Sequence, residues 1–266
     1  MSAVRKYIAI SNRSLQNVLS YRVSYVITFA SNLVSLITLF FLWNGIYGGR
    51  PELGAYSWEE MKAYLLVTFF ANSMLSWYSE TAISTKILDG SVAVDLLKPI
   101  NFQKARLAES AGSVLLEGGI SGVMIGAFII FTAGIQLPDS LLQWFLFILS
   151  LIGSILVKFG VVYLAALLCF WSTGSLGIVW TRIAVTNLLS GALVPLSFFP
   201  GWLERIALLL PFQSIIYTPT MIFLGKAGAG ELAGLVLMQF FWAAVLWFAG
   251  RLLWSWAVRQ VTIHGG

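Results

Sequence analysis

Few residues of this chain have side chains able to do chemistry, and their surroundings narrow what that chemistry is. Glu117 and Lys158 stand out because each sits deep inside a long apolar run. A lone charge in such a place is strongly disfavoured, so each needs a partner or a purpose. Two readings are open: a proton-coupled or polar point in a transport path, or a structural pair joining two helices. The single histidine, His264, lies far along the chain, and the single cysteine, Cys169, lies in an apolar run as small packing. A serine–histidine pair or a histidine-ligated metal site therefore has no basis inside the apolar runs. Ser175, in Gly-Ser-Leu-Gly, has no base near it in sequence. No G-x-x-x-x-G-K-[ST] phosphate loop occurs; Gly225–Lys226 comes nearest and is followed by Ala227. The expectation is a chain with no catalytic residue, no metal and no ATP held in the P-loop manner.

The elements that must position these residues are strongly apolar. Of the residues, 59% are hydrophobic and 10% charged, and the mean hydropathy is +0.86. A soluble domain carries about 25% charged residues. Six apolar stretches cover 24–46, 62–80, 107–134, 141–171, 177–199 and 233–256. A helix needs about 20 residues to cross ~30 Å of hydrocarbon. Backbone in lipid must also satisfy its own hydrogen bonds. The sequence therefore predicts an all-α integral membrane protein with six transmembrane helices, residues 1–266 forming a single domain.

Residues 1–22 have their own pattern. Val4, Tyr7, Ile8, Ser11 and Leu15 recur at helical spacing, while Arg5, Lys6, Asn12 and Arg13 cover much of the rest. This predicts an amphipathic helix in the headgroup region and not a cleaved signal. With the N-terminus inside, the inner segments hold eleven basic residues, Arg5, Lys6, Arg13, Arg22, Lys86, Lys98, Lys104, Arg106, Arg182, Arg251 and Arg259. The outer segments hold four, Arg50, Lys62, Arg205 and Lys226. That bias places both termini in the cytoplasm. The net charge of +5 then reflects orientation and anionic inner-leaflet lipid, with no need for nucleic acid.

Two connections are long enough to have a role. The cytoplasmic one, 81–106, presents Ile83, Ile87 and Leu88 at the spacing of a short helix. Gly90 breaks it, and Asp95, Leu96, Leu97 and Lys98 run into Pro99. Apolar teeth on a loop of this length predict a docking surface or packing on the chain's own membrane domain. The outer one, 196–230, is too apolar for a solvated loop, yet Pro200, Pro211 and Pro219 interrupt it, as Pro195 does just before. It predicts a re-entrant pair of short helices turning near Pro200–Gly201–Trp202, with Phe198, Phe199 and Trp202 at interface depth. Within the spans, Asn32, Ser35, Asn72, Ser76, Asn187 and Ser190 are candidates for a substrate path. The asparagines are the sharper ones, because each amide must satisfy a donor and an acceptor in a dry place. Gly118, Gly122 and Gly126 form a doubled G-x-x-x-G that predicts close helix packing.

The order of these features resembles the membrane subunit of ABC exporters of the ABC-2 type. The likeness spans nearly the whole chain: the interface helix, six spans, a G-x-x-x-x-x-L-L-x-P stretch at Gly90, Leu96, Leu97 and Pro99, and a proline-broken hairpin before the last span. The resemblance implies that two membrane subunits pair, identical or unequal, and that each docks a cytoplasmic ABC ATPase, giving two copies per complex. ATP and Mg would sit on that partner, and the complex would lie in a bacterial-type cell membrane. It also implies that residues 83–98 are the coupling helix, with Ile83, Ile87, Leu88, Gly90, Asp95, Leu96, Leu97 and Pro99 as its contact residues. The translocation path would come mainly from spans one, two and five. The apolar walls suit an amphiphilic or hydrophobic cargo such as a lipid, lipopeptide, antibiotic or drug. Two other readings are an ion-coupled secondary transporter built on Glu117 and Lys158, and a non-transporting membrane scaffold.

Overall fold

The apolar runs become a bundle of helices in the computed structural model, which describes residues 3–260 except 21, 75–76, 133–136, 139 and 227. The helices are α1 (Ala3–Ser20), α2 (Arg22–Tyr47), α3 (Trp58–Ser73), α4 (Trp77–Leu88), α5 (Val92–Leu96) and α6 (Phe102–Thr132). Then come α7 (Leu141–Leu167), α8 (Leu176–Leu189), α9 (Gly201–Leu209), α10 (Tyr217–Leu224) and α11 (Ala229–Ala257). Two-residue strands β1 (Glu52–Leu53) and β2 (Tyr56–Ser57) pair antiparallel between α2 and α3, with Glu52 opposite Ser57.

Three helical segments among the described residues are long and apolar enough to cross a membrane: Phe29–Tyr47, Leu141–Trp171 and Gly230–Gln260. The 31 residues of α6 reach about 46 Å but carry Lys104, Arg106, Glu109 and Glu117 along them. By contrast the 14 residues of α8 reach only about 21 Å.

Two predicted spans end early. The stretch 62–80 is divided, α3 stopping at Ser73 and α4 starting at Trp77. The last turn of α3 finds side-chain partners for its carbonyls, one of its own and one from α7. Ser73 Oγ donates to Phe70 O at 2.9 Å, and Lys158 Nζ donates to Asn72 O at 2.9 Å. The stretch 177–199 stops being helical at Leu189. Gly191 follows with φ +83°, and Tyr64 Oη donates to its carbonyl at 2.5 Å. A Cβ there would lie 2.6 Å from that hydroxyl oxygen, so a glycine is required twice over.

The bundle is organised around α7. On one side α11 packs along it: a Cβ on Gly153 would lie 2.6 Å from Gln239 Cδ, and one on Gly160 would lie 2.7 Å from Leu246 Cβ. On the other side it meets α10 and α4. At the predicted outer end, β2 feeds α3 through a capping box. Glu60 N donates to Ser57 Oγ at 3.2 Å, and Ser57 N donates to Glu60 Oε2 at 2.7 Å. Tyr47, Tyr56 and Trp43 are buried at that same end with Phe198. Trp43 is therefore a core residue, while Trp171 and Trp180 are exposed. At the opposite end Phe102 stacks on Trp254 with centroids 4.2 Å apart, and Gln103 Nε2 donates to Trp247 O at 3.1 Å.

The amphipathic helix α1 lies along α6 and not apart from it. A Cβ on Gly112 would run into the Ser11 carbonyl, so the backbones nearly touch. Ser14 Oγ and Ser113 Oγ are 3.2 Å apart, and Asn101 N donates to Tyr7 Oη at 3.4 Å. Ile8, placed on the apolar face from its spacing, is exposed. Among the described residues the doubled G-x-x-x-G makes no such approach: Gly118 and Gly122 meet the side chains of Met74 and Phe70, and nothing lies close to Gly126.

Candidate coupling surface and buried polar layer

The connection 81–106 folds as α4, a left-handed turn at Gly90 (φ +75°) and α5. Asn101 Oδ1 accepts from Lys104 N at 3.0 Å and starts α6. The apolar teeth divide into two sets. Ile83 and Ile87 are buried with Val92, Phe102 and Tyr163, so they fasten the loop to its own bundle. Val94, Leu96 and Leu97 face outward, with Leu97 85% exposed, and Leu88 and Pro99 lie at the same surface.

Asp95 fixes that division. Its carboxylate is buried and meets Lys98 Nζ at 2.6 Å, Lys86 Nζ at 3.2 Å and Arg106 Nη2 at 3.3 Å. Arg106, only 3% exposed, also reaches Glu109 at 2.6 Å. Burial pushes the Asp95 carboxyl up, but the Lys98 hydrogen bond and the charges of Arg106 and Lys86 outweigh it and hold it below the usual aspartate range. Asp95 was expected to contact a partner; its place is behind the exposed surface, where it holds α5 against α4 and α6.

A second polar group crosses the middle of the bundle. Glu117 and Lys158 are both buried. Lys158 reaches the carbonyl of Asn72, while Ser121 Oγ donates to the carbonyl of Glu117 and lies 2.6 Å from Ser73 Oγ. Lys158 therefore reaches the last turn of α3 directly, and the backbone of Glu117 is linked to that same turn through Ser121 and Ser73. One turn of chain lower on α7, Ser154 Oγ donates to Ile215 O at 2.5 Å. Gln239 Nε2 donates to Ser150 O at 2.9 Å and to Ser214 O at 2.6 Å.

Those last bonds hold the proline-broken segment. It forms two short helices as expected, but they do not turn at Pro200–Gly201–Trp202. Pro200 caps the start of α9, and the turn between α9 and α10 is Leu210–Ile216, buried among α7 and α11. Pro211 opens the 3-10 turn there, where its missing N–H costs nothing. Gln143 Nε2 donates to Ile222 O at 2.9 Å, so the segment runs beside α7 from Gln143 to Ser154, about 16 Å at 1.5 Å per residue. Trp202 is exposed, whereas Phe198 packs on Trp43 and Tyr56. Burial raises the Tyr56 hydroxyl to about 12 at this end.

Among the described residues, the polar ones proposed for a path lie on three helices, α2, α3 and the end of α8. Asn32 and Ser35 lie on α2, and Ser35 Oγ donates to Ser31 O at 3.0 Å within its own helix. Asn187 and Ser190 close α8, and the Ser190 carbonyl accepts from Tyr217 N at 3.1 Å. The Asn72 backbone serves Lys158, and Ser76 lies outside the described residues. Sequence reasoning missed Gln239, Ser154 and Gln213. Gln239 carried a signal: a lone amide within an apolar run of 233–256 must find partners inside the protein.

Long apolar helices and a nearly all-α architecture define a membrane-embedded, multi-pass helical protein. The chain belongs to the ABC-2 transporter family, whose model, described as "ABC-2 family transporter protein", matches residues 33–265. Membership makes it a permease, the membrane subunit of an ABC transporter, and implies association with an ABC ATPase. No curated protein gives a significant match to the chain.

Proposed function

We propose that this chain is one half of a permease dimer that expels an amphiphilic or hydrophobic compound, driven by two copies of a separate cytoplasmic ATPase. The observation that carries the reading is the face formed by Val94, Leu96 and Leu97, exposed apolar side chains on a short helix held rigidly by the buried Asp95 cluster. Apolar residues presented on a fixed helix suit insertion into a groove of a soluble partner. ATP and Mg belong to that partner, since the sequence has no phosphate loop of its own.

In this reading the chain crosses the membrane six times with both termini in the cytoplasm, as the basic residues favour. The α9–α10 segment dips into the outer leaflet, covered by α7 and α11, as buried irregular backbone must be. The sparsely covered faces of α2 and α8 are left for the second permease, identical or not. ATP binding closes the pair of ATPases and biases the permease pair between two packed arrangements. Lys158, committed to the Asn72 carbonyl, supports a structural place for that charge over an ion-coupled one.

Purification from native membranes in mild detergent tests the proposal. A stoichiometric P-loop ATPase in the complex is the expected result. A chain that purifies alone, even after gentle crosslinking, would move the case to an ion-coupled transporter at Glu117 and Lys158.

A further inference from the structure

A cavity of about 620 Å³ opens between α1, α4 and the start of α6. That volume lies in the ordinary range for small-ligand sites. Its walls carry Lys6 and Arg13 from α1, Lys86 from α4, and Lys98 and Arg106 around the coupling loop, against Glu109. Counting Asp95 behind the wall, five cations face two carboxylates. Asp95 and Glu109 engage Lys86, Lys98 and Arg106, whereas α1 adds Lys6 and Arg13 with no acid of its own. Arg106 Nε is buried and has no hydrogen-bond partner among the described residues. An anionic oxygen is the acceptor that these groups lack. The remaining lining is apolar, with Ile10, Ile83 and Ile100.

We propose that this cavity binds the phosphate headgroup of an anionic inner-leaflet lipid, with Ile10 and Ile100 against its glycerol and first methylenes. A basic pocket beside an amphipathic helix, partly apolar and at the cytoplasmic end of the bundle, matches the chemistry of a phospholipid better than that of a free anion. Lys86 and Lys98 are shared between this cavity and the Asp95 cluster, so an occupied site also steadies the surface that carries Leu97. The inference rests on the cytoplasmic placement of this end and not on transport.

The test uses the full chain, delipidated in detergent and titrated with phosphatidylglycerol or phosphatidylcholine under native mass spectrometry. Lys6→Gln with Arg13→Gln removes the two cations on α1 while leaving the Asp95 cluster intact. Arg251→Gln, exposed on α11, serves as the control. The wild type and the control should prefer the anionic lipid roughly tenfold or more, and the double variant should lose most of that preference. Equal affinity for the two lipids, or a preference unchanged in the double variant, would overturn the site. Displacement of the lipid by free glycerol phosphate at similar concentration would assign the cavity to a soluble anion and overturn the lipid.

Discussion

Lys158 Nζ donates a 2.9 Å hydrogen bond to the carbonyl oxygen of Asn72, in the last turn of α3. That carbonyl lies at the C-terminal end of the helix, where a cation is favoured by the helix dipole. Lys158, expected to pair with a charge on a neighbouring span, thus clamps α7 to the end of α3. Lys158→Ala should lower stability by about 1–3 kcal/mol through the loss of this bond to the Asn72 carbonyl. If Glu117 balances the Lys158 charge, Glu117→Gln with Lys158→Met should be milder than Lys158→Ala, since no lone charge is left buried. Thermal melts in detergent decide it: equal damage would mean that the two charges do not compensate.

Asp95→Asn should loosen α5, because Arg106 stays buried with one carboxylate fewer. A loss on the order of 3 kcal/mol is expected for breaking a buried pair from one side. The pH dependence follows from the lowered carboxyl. A group whose folded pKa lies below its unfolded value contributes fully above the unfolded value and loses that contribution as pH falls through the folded one. The gap in melting temperature between wild type and Asp95→Asn should therefore be constant near neutrality and close only in acid, below the ordinary aspartate value of 3.8. A gap that closes near pH 6 would contradict this assignment.

Tyr64 and Gly191 end α8 together. Gly191→Ala would place a methyl against the Tyr64 hydroxyl at a positive φ and should misfold the turn. Tyr64→Phe leaves the buried Gly191 carbonyl unpaired and should cost about 1–3 kcal/mol. Pairing Gly191→Ala with Tyr64→Ala relieves the clash but not the φ. A melt that recovers only in part is the predicted result, and full recovery would show that the backbone angle does not matter.

Gln239→Leu should free the α9–α10 turn, because Ser150 O and Ser214 O both lose their donor. Hydrogen exchange at residues 213–217 is expected to speed up in this variant while α1 and α6 stay unchanged. Unchanged exchange there would show that packing alone holds the segment.

Apolar length and the family likeness made the helical membrane architecture legible from residues alone. What they could not show was where a span breaks. The ends of α3 and α8 depend on partners far away in sequence, Lys158 for Asn72 and Tyr64 for Gly191. The turn at Leu210–Ile216 was misplaced for the same reason: four prolines offered several breaks, and Gln239 and Ser154 choose among them. In the coupling loop the residue types were legible but not their division. Ile83 and Leu97 look alike in sequence, yet one is buried beside Phe102 and the other is exposed.

That division gives the most direct test. Ile83→Ala should lower the melting temperature, at about 2–5 kcal/mol for a buried truncation, while the folded fraction still binds its ATPase. Leu96→Asp with Leu97→Asp should leave expression, membrane insertion and melting temperature near wild type, because both side chains face outward. The decisive measurement is the ATPase recovered per mole of purified permease for this double variant. The account predicts that recovery falls to background. Recovery at the wild-type ratio would contradict the assignment of Val94, Leu96 and Leu97 as the surface through which ATP hydrolysis reaches this protein.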